Sequence, residues 1–395
     1  MSTAVLTLNA GSSSVKLALF EIGRAGGLTR LWDGAVTAMG DAPRFTARDS
    51  SGMVLIDHAW AAGEAVSYET YLACVLSFAE QHLGGDVLAC AGHRVVHGGA
   101  AHAGPARVTP VLLDELTALV PLAPLHQPHN LAAIRTLATL RPALPQVACF
   151  DTAFHHLLPP VATRIALPAE FAEKGVRRYG FHGLSYTHIA ERLRALAPDV
   201  AAGRVIAAHL GAGASLCAMR NGRSVDTTMG FTALDGLIMA TRCGSIDAGV
   251  VLYLLQQEQL APQAVEDILY HHSGMLGISG VSGDMQVLHK SDLPQARDAV
   301  DSFVYRIVRD AGALASVLGG LDGLVFTAGI GEHDPWVREQ VCLGLGWLGV
   351  SLDGEANRRG AERISTAGSA VSVWVIEADE EGVIGRETVR VIRDA

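Results

Sequence analysis

Two short apolar runs come first along the chain. Val5–Leu8 and Val15–Phe20 flank Asn9-Ala10-Gly11-Ser12-Ser13-Ser14, so residues 1–20 read as a β-hairpin whose turn gathers backbone N–H groups and hydroxyls. Leu31–Ile56 continues as strands, with turns expected at Gly34, Gly40 and Ser51-Gly52. The period then changes. Val66, Leu72, Val75, Leu76 and Phe78 fall on one side of a helix over Glu64–Leu83, which Gly84-Gly85 terminates. Val87–Ala91 is a buried strand that runs into Gly92-His93-Arg94-Val95-Val96-His97-Gly98-Gly99. A helix is expected at Val111–Leu119, a proline-rich loop at Pro121–Asn130 with Asn130 as the next helix cap, and a strand at Gln146–Phe150.

The second half repeats the opening theme. Leu184–Ala197 reads as a helix, Val205–Ala208 as a strand, and His209–Ser215 as a turn into a strand at Leu216–Met219. Placing Val5 beside Val205 puts Gly11 beside Gly211, an offset of 200 residues. That suggests an internal duplication. Strands alternating with helices in both halves predict two α/β domains with a cleft between them.

Composition narrows the partners. Hydrophobic residues make up 49% of the 395 and charged residues 18%, as in a well-buried globular protein. The formal net charge of -10, with no Lys/Arg run, argues against nucleic acid or an acidic membrane surface. The six cysteines are scattered without a C-x-x-C pair, as expected of reduced thiols. No signal peptide or membrane-spanning run is recognisable, so a cytoplasmic location is expected.

Candidate chemistry lies in Gly-rich turns expected after strands: Asn9–Ser14, His209–Ser215, Gly280–Asp284 and Thr327–His333. Each alone is an ordinary turn; together they favour nucleotide phosphate, although no P-loop or G-x-G-x-x-G is present. Arg94 and Arg242 suit a pair of guanidiniums on an anion, against the alternative of surface ion pairs. His182, in Tyr179-Gly-Phe-His182-Gly183, is either a packed neutral histidine or a donor to a transferring phosphoryl group. Asp151 and Glu380 end apolar runs and suit Mg²⁺, with helix capping the alternative for Asp151. Zinc is disfavoured because His93/His97, His155-His156 and His271-His272 lack a ligand motif, and no cysteine sits in an activating one.

These segments, in order, resemble the acetate kinase family (acetate and propionate kinases) over nearly the whole chain. The matching motifs include Leu8–Lys16, Gly92–Gly99, Phe150–His155, Tyr179–Gly183, His209–Ser215, Asp226–Thr232, Thr241–Gly244, Phe326–Glu332 and Asp379–Glu381. The resemblance implies a duplicated ribonuclease H-like (actin/hexokinase/Hsp70-like) fold with an interdomain active-site cleft. It places an N-terminal domain at 1–150 plus 382–395 and a nucleotide-binding domain at 151–381. Crossings between them are expected near Asp151–Thr152 and Glu377–Glu381, where closure would exclude water.

It further implies reversible, Mg²⁺-dependent transfer of the ATP γ-phosphoryl group to acetate, giving acetyl phosphate and ADP, with Mn²⁺ as the alternative ion. By matching position, Asn9 and Glu380 serve the metal, and Asp151, His182, Arg242 and Arg94 are catalytic. Lys16, His209, Leu210, Gly211, Ala212, Gly213, Asp284, Gly329, Ile330, Gly331, Glu332 and His333 contact the nucleotide. Acetate is already ionised at neutral pH, so Asp151 is expected to orient or link the metal rather than take a proton. Arg94, Val96, Leu125, Phe181 and Ala233 bind the substrate. Family members are dimers, so a homodimer is expected.

The chain departs from the family at five places, one of them the usual Gly-Asp-Ile-Asp segment, which reads Gly244-Ser245-Ile246-Asp247. Ala233 replaces a usual proline, which favours room for propionate. Ala212, Gln286 and His333 replace a usual Asn, Arg and Asn on the nucleotide side, which opens GTP or pyrophosphate as alternative donors. A nucleotide-dependent chaperone-like module on the same fold is the reading from another class. Retention of both arginines with His182, Asp151 and Glu380 speaks against it.

Overall fold

The opening hairpin forms in the computed structural model: β1 (Thr3–Ala10) and β2 (Val15–Ile22) pair antiparallel, with Asn9 opposite Lys16. The structure describes residues 3–11, 14–39, 43–61, 66–83, 87–124 and 126–394. Ser12, Ser13, Gly40, Gly84-Gly85 and the expected substrate contact Leu125 therefore lie outside the described residues.

Among the described residues, the first sheet adds β3 (Leu28–Thr37), β4 (Arg44–Asp49), β5 (Val54–Ala59), β6 (Val87–Val95), β7 (Ala106–Arg107) and β8 (Gln146–Phe150). Their order is β5-β4-β3-β2-β1-β6-β8-β7. The second sheet holds β9 (Arg204–Leu210), β10 (Ala214–Arg220), β11 (Arg223–Thr227), β12 (Gly323–Thr327) and β13 (Ser372–Val375), in the order β11-β10-β9-β12-β13. Strands β3-β2-β1-β6-β8 join by two antiparallel and then two parallel pairings, and β11-β10-β9-β12-β13 do the same. The duplication is thus one of topology. Central strands such as β1 are buried on both faces, which is why they read as unbroken apolar runs.

The helix Tyr68–Gln81 covers the first sheet, with Phe78 edge-on to Trp32 (5.1 Å) and Phe45 (5.4 Å). The helix Glu380–Arg393 packs on β1, β6 and β8 through a face that includes Val383, Ile384 and Val389. It approaches so closely that a side chain on Gly92 would strike Thr388 and Ile384. The chain therefore divides into Met1–His156 with Asp379–Ala395, and Leu157–Ala378. Asp151–His156 and Asp379–Glu381 belong to the first unit, although the sequence placed them in the second. The cause is local bonding: Asp151 N–H donates to Val95 O (3.1 Å), and Arg30 pairs with Asp379.

Three local expectations differ from what forms. Gly34 lies inside β3 rather than in a turn, paired with Leu17 and Ala47; it is glycine there for close strand approach, since a side chain would collide with the Thr46 carbonyl of β4. A helix begins at Gln127, within the expected loop; Pro128 occupies its first turn, where no N–H is needed. Asn130 is accordingly inside that helix and ties strand ends instead of capping it: Val96 N–H donates to Oδ1 (2.9 Å), and Nδ2 donates to Ala10 O (2.7 Å). Finally, Gly280–Asp284 follows the helix Gly274–Ser279, not a strand.

His93 and His97 are packed into the first unit, and burial depresses each to about pKa 4 from 6.5. The His97 Nδ1 accepts from Gly99 N–H (2.8 Å). Between pH 6.5 and 4 the unfolded chain binds protons that these folded imidazoles refuse. Their stabilisation is complete above pH 6.5 and disappears as pH falls to 4, about 3 kcal/mol for each. In a His97→Asn variant, the difference in unfolding free energy from the parent should narrow by about that amount between pH 7 and pH 4. A constant difference would rule out a buried neutral His97.

Candidate active site

The parallel strands β1, β6 and β8 end side by side, and open α/β sheets place ligands at such carboxyl ends. In the first unit those ends deliver Asn9, Arg94 and, one residue past β8, Asp151. Arg94 Nε and Nη2 both donate to Asp151 Oδ2 (3.0 and 2.6 Å), and Nη1 donates to Asn9 Oδ1 (3.2 Å). Asn9 Nδ2 donates in turn to Glu380 Oε2 (2.9 Å) and Glu381 Oε1 (3.4 Å). Glu380 sits in the first turn of the last helix, rather than at a strand end.

Charge is concentrated here largely away from the surface. Asp151 is 1% exposed, and its Oδ1 accepts no hydrogen bond among the described residues. Burial pushes its carboxyl upward, the Arg94 charge and hydrogen bonds oppose this, and Glu380 adds to the rise. Burial works against the Arg94 charge too, but Asp151, Glu380 and Glu381 outweigh it and hold the guanidinium protonated. Glu381, which the sequence did not single out by itself, is raised by burial and by Glu380.

In the second unit, β9 and β10 meet in a tight hairpin: Leu210 faces Ala214, and Gly211 N–H donates to Gly213 O (3.0 Å). His182 lies in the left-handed region (φ 59°) just before the helix Gly183–Leu196. Its ring stacks on His209 at 4.0 Å, and its Nδ1 is 2.8 Å from Ser215 Oγ. His209 Nδ1 pairs with Ser185 Oγ (2.9 Å), so His209 serves as a fixed platform under His182. Arg242 Nη1 donates to Ala233 O (2.6 Å). A side chain on Gly213 would come within 2.6 Å of Arg242 Nη2 and 3.3 Å of His182 Nε2. The two cationic or donor tips thus converge over that glycine.

Beside the hairpin is a cavity of about 660 Å³ whose lining includes Gly211, Ala212, Asp284, Gly329, Ile330 and His333, all expected from sequence, and Gln286. His289 and Trp336 also line it, with His289 Nε2 on Asp334 (2.8 Å) and its ring edge-on to Trp336 (5.3 Å). Neither was expected. Asp284 spends its Oδ1 capping the next helix, on Gln286 N–H (2.7 Å) and Val287 N–H (3.3 Å).

Other expected nucleotide contacts do not line this cavity. Leu210 is fully buried, and Gly213, Gly331 and His209 lie outside the lining. Glu332 turns inward: its Oε1 accepts from Ala328 N–H (2.7 Å) and Ala378 N–H (2.9 Å). Arg338, fully buried, holds the same loop from below through Gly331 O (2.9 Å) and Glu332 O (2.7 Å). Lys16 lies in the first unit, beside a cavity of about 350 Å³ with Arg30, Arg48 and Glu381. Of the expected substrate contacts, Val96 is buried in the first unit, while Phe181 and Ala233 are in the second.

A twofold-repeated α/β frame with these strand-end charges defines a phosphotransferase of the actin-like class. The Acetokinase family is matched over residues 4–386, and the chain belongs to that family, whose members transfer a phosphoryl group to a carboxyl group. It is 52% identical over 394 residues to an acetate kinase of Rhodopseudomonas palustris, covering 99% of this chain and 98% of that one. Among solved structures it is similar to a propionate kinase from Francisella tularensis (32% identity, TM-score 0.91, covering 98% of this chain and 100% of that one). It is also similar to the acetate kinase of Porphyromonas gingivalis (34% identity, TM-score 0.86, covering 99% and 100%).

Proposed function

We propose that the chain transfers the γ-phosphoryl group of ATP to acetate, reversibly, giving acetyl phosphate and ADP. The observation that carries this reading is the Arg94 guanidinium, aimed by Asp151 and Asn9 and kept charged by Asp151, Glu380 and Glu381, in a member of this family. An acetate oxygen attacks the γ-phosphorus in line; the new O–P bond forms as the bond to the ADP oxygen breaks. No proton has to move. The barrier is repulsion between anions, which Arg94 and Arg242 reduce, while His182 donates to an equatorial oxygen of the loose transition state. Asp151 spends Oδ2 orienting Arg94 and acts as no base.

The oxygen donors present fit Mg²⁺, with Mn²⁺ as the alternative. Asp151 Oδ1 is a buried oxygen without a partner among the described residues, and Glu380 lies one hydrogen bond away from Asn9. Among the described residues no group of three or more His, Cys, Asp or Glu could hold a metal. That suits an ion completed by phosphate and water rather than an all-protein cage. Asn9 gives its Oδ1 to Arg94, so it serves the ion by holding Glu380. When bound, the ion neutralises phosphate charge.

The cavity beside Ala212 and His333 is the nucleotide pocket in this reading. Propionate as acceptor is the second reading, supported by Ala233 in place of the family's proline. No helix among the described residues is long and apolar enough to cross a membrane, which agrees with a cytoplasmic enzyme. A homodimer is supported by the helix Ala248–Gln256, which has no charged residue and leaves Val250, Leu252 and Tyr253 exposed.

The test is a hydroxamate assay pairing acetate and propionate with ATP, GTP and pyrophosphate in Mg²⁺. Acyl phosphate from acetate and ATP is expected, with propionate turned over less efficiently by about 10-fold, as one methylene allows. No product from any pairing would sink the reading.

A further inference from the structure

The His182 ring belongs to a chain of three hydroxyl and imidazole groups that the reaction itself does not consume. Its Nδ1 lies 2.8 Å from Ser215 Oγ, and Ser215 Oγ lies 2.5 Å from the Tyr186 hydroxyl. Ser215 and Tyr186 are both fully buried. Tyr186 lies in the first turn of the helix that His182 precedes, and Ser215 faces His209 across β9 and β10.

The direction of this chain follows from acidity and lone pairs. The Tyr186 oxygen already takes a hydrogen bond from the His209 backbone. A phenol is a stronger acid than an alkyl hydroxyl, so Tyr186 donates to Ser215. Ser215, its oxygen accepting from Tyr186, then has its one proton to direct to His182 Nδ1, which accepts it in the arrangement inferred below. An imidazole whose Nδ1 accepts carries its proton on Nε2. Nε2 is the atom that, with Arg242 Nη2, lies against Gly213.

We infer that Tyr186 and Ser215 are positioning residues that hold His182 as its Nε2–H tautomer, so that it presents a donor to the phosphoryl oxygens. The opposite tautomer would aim a lone pair at oxygens that only accept. The inference rests on the phosphoryl-transfer reading for its catalytic meaning, but the tautomer can be read without any turnover.

The experiment is ¹⁵N NMR of the full chain with labelled histidine rings at pH 8, with His182 signals identified by their absence in His182→Gln. The expected spectrum shows an unprotonated, hydrogen-bond-accepting Nδ1 and a protonated Nε2. In Ser215→Ala this preference relaxes towards a mixture. The kcat falls roughly 10- to 100-fold while the KM values for ATP and acetate move less than about 3-fold, since general donor effects of this kind act on the transition state. Tyr186→Phe leaves the serine proton in place and costs less. Ser215→Cys, which keeps a weak donor on a slightly larger side chain, falls between the parent and Ser215→Ala.

A protonated Nδ1 in the parent protein overturns the inference, and needs no variant to fold. So does an unchanged His182 tautomer in folded Ser215→Ala. If acyl phosphate forms but the tautomer is wrong, only this inference fails. If the tautomer is as expected but no carboxylate is phosphorylated, the kinase reading fails instead.

Discussion

Arg94→Ala should lower kcat/KM for acetate about 10³-fold, or about 4 kcal/mol of transition-state stabilisation. It should also destabilise the first unit. Asp151 receives two hydrogen bonds from Arg94 on Oδ2, is 1% exposed, and has no partner for Oδ1 among the described residues. Removing the guanidinium leaves that carboxylate buried and unpaired, which costs about 3–5 kcal/mol unless it takes up a proton. The two effects separate in a double variant. Arg94→Ala with Asp151→Asn should regain most of the unfolding free energy and none of the activity. Near-parental kcat/KM in Arg94→Ala would remove Arg94 from the active site, and an unaltered urea midpoint would show that the pair contributes nothing to folding.

Arg242→Ala is expected to cost 10²- to 10³-fold in kcat/KM with little loss of stability. Its Nη1 contact is a neutral carbonyl, Ala233 O at 2.6 Å, and the side chain is only partly buried. A bond of that kind contributes about 1 kcal/mol. Arg242→Lys should recover little. One planar fork places Nη1 on Ala233 and Nη2 against Gly213, and a lysine ammonium cannot occupy both points. Steady-state kinetics beside a thermal melt decide the matter. A variant that loses stability and activity together would mean that Arg242 is structural.

Much of this was legible in the residues. Asn9, Arg94 and Asp151 stood out because polar groups directly after apolar strands have to emerge at the carboxyl ends of the sheet, where the structure has them. The gathering of Asn9 with Glu380 was not legible by spacing, since 371 residues separate them. Glu332 and Leu210 were assigned to the nucleotide by membership of a motif, but a motif does not say where a side chain points. Glu332 turned to backbone N–H groups, and Leu210 to the core. Ser185, Tyr186 and Ser215 carried a faint signal. Ser185 and Tyr186 stand three and four residues beyond His182, in the first turn of the helix it precedes, and Ser215 stands two beyond Gly213 on a strand.

The Asn9–Ser14 hairpin shows where the division falls. Apolar runs, turn residues and a 200-residue offset are local or repetitive properties, so the sequence by itself determined the duplicated α/β topology and which side chains carry charge. Hydrogen-bond geometry is not local. Only the tertiary structure decided that Asn9 bridges Arg94 and Glu380, that Asp151 keeps one oxygen back, and that Tyr186 reaches His182 through Ser215. Those choices depend on burial. A polar group removed from water must find its partner among whatever the packing brings within 3 Å or so, and the packing is set by the whole chain.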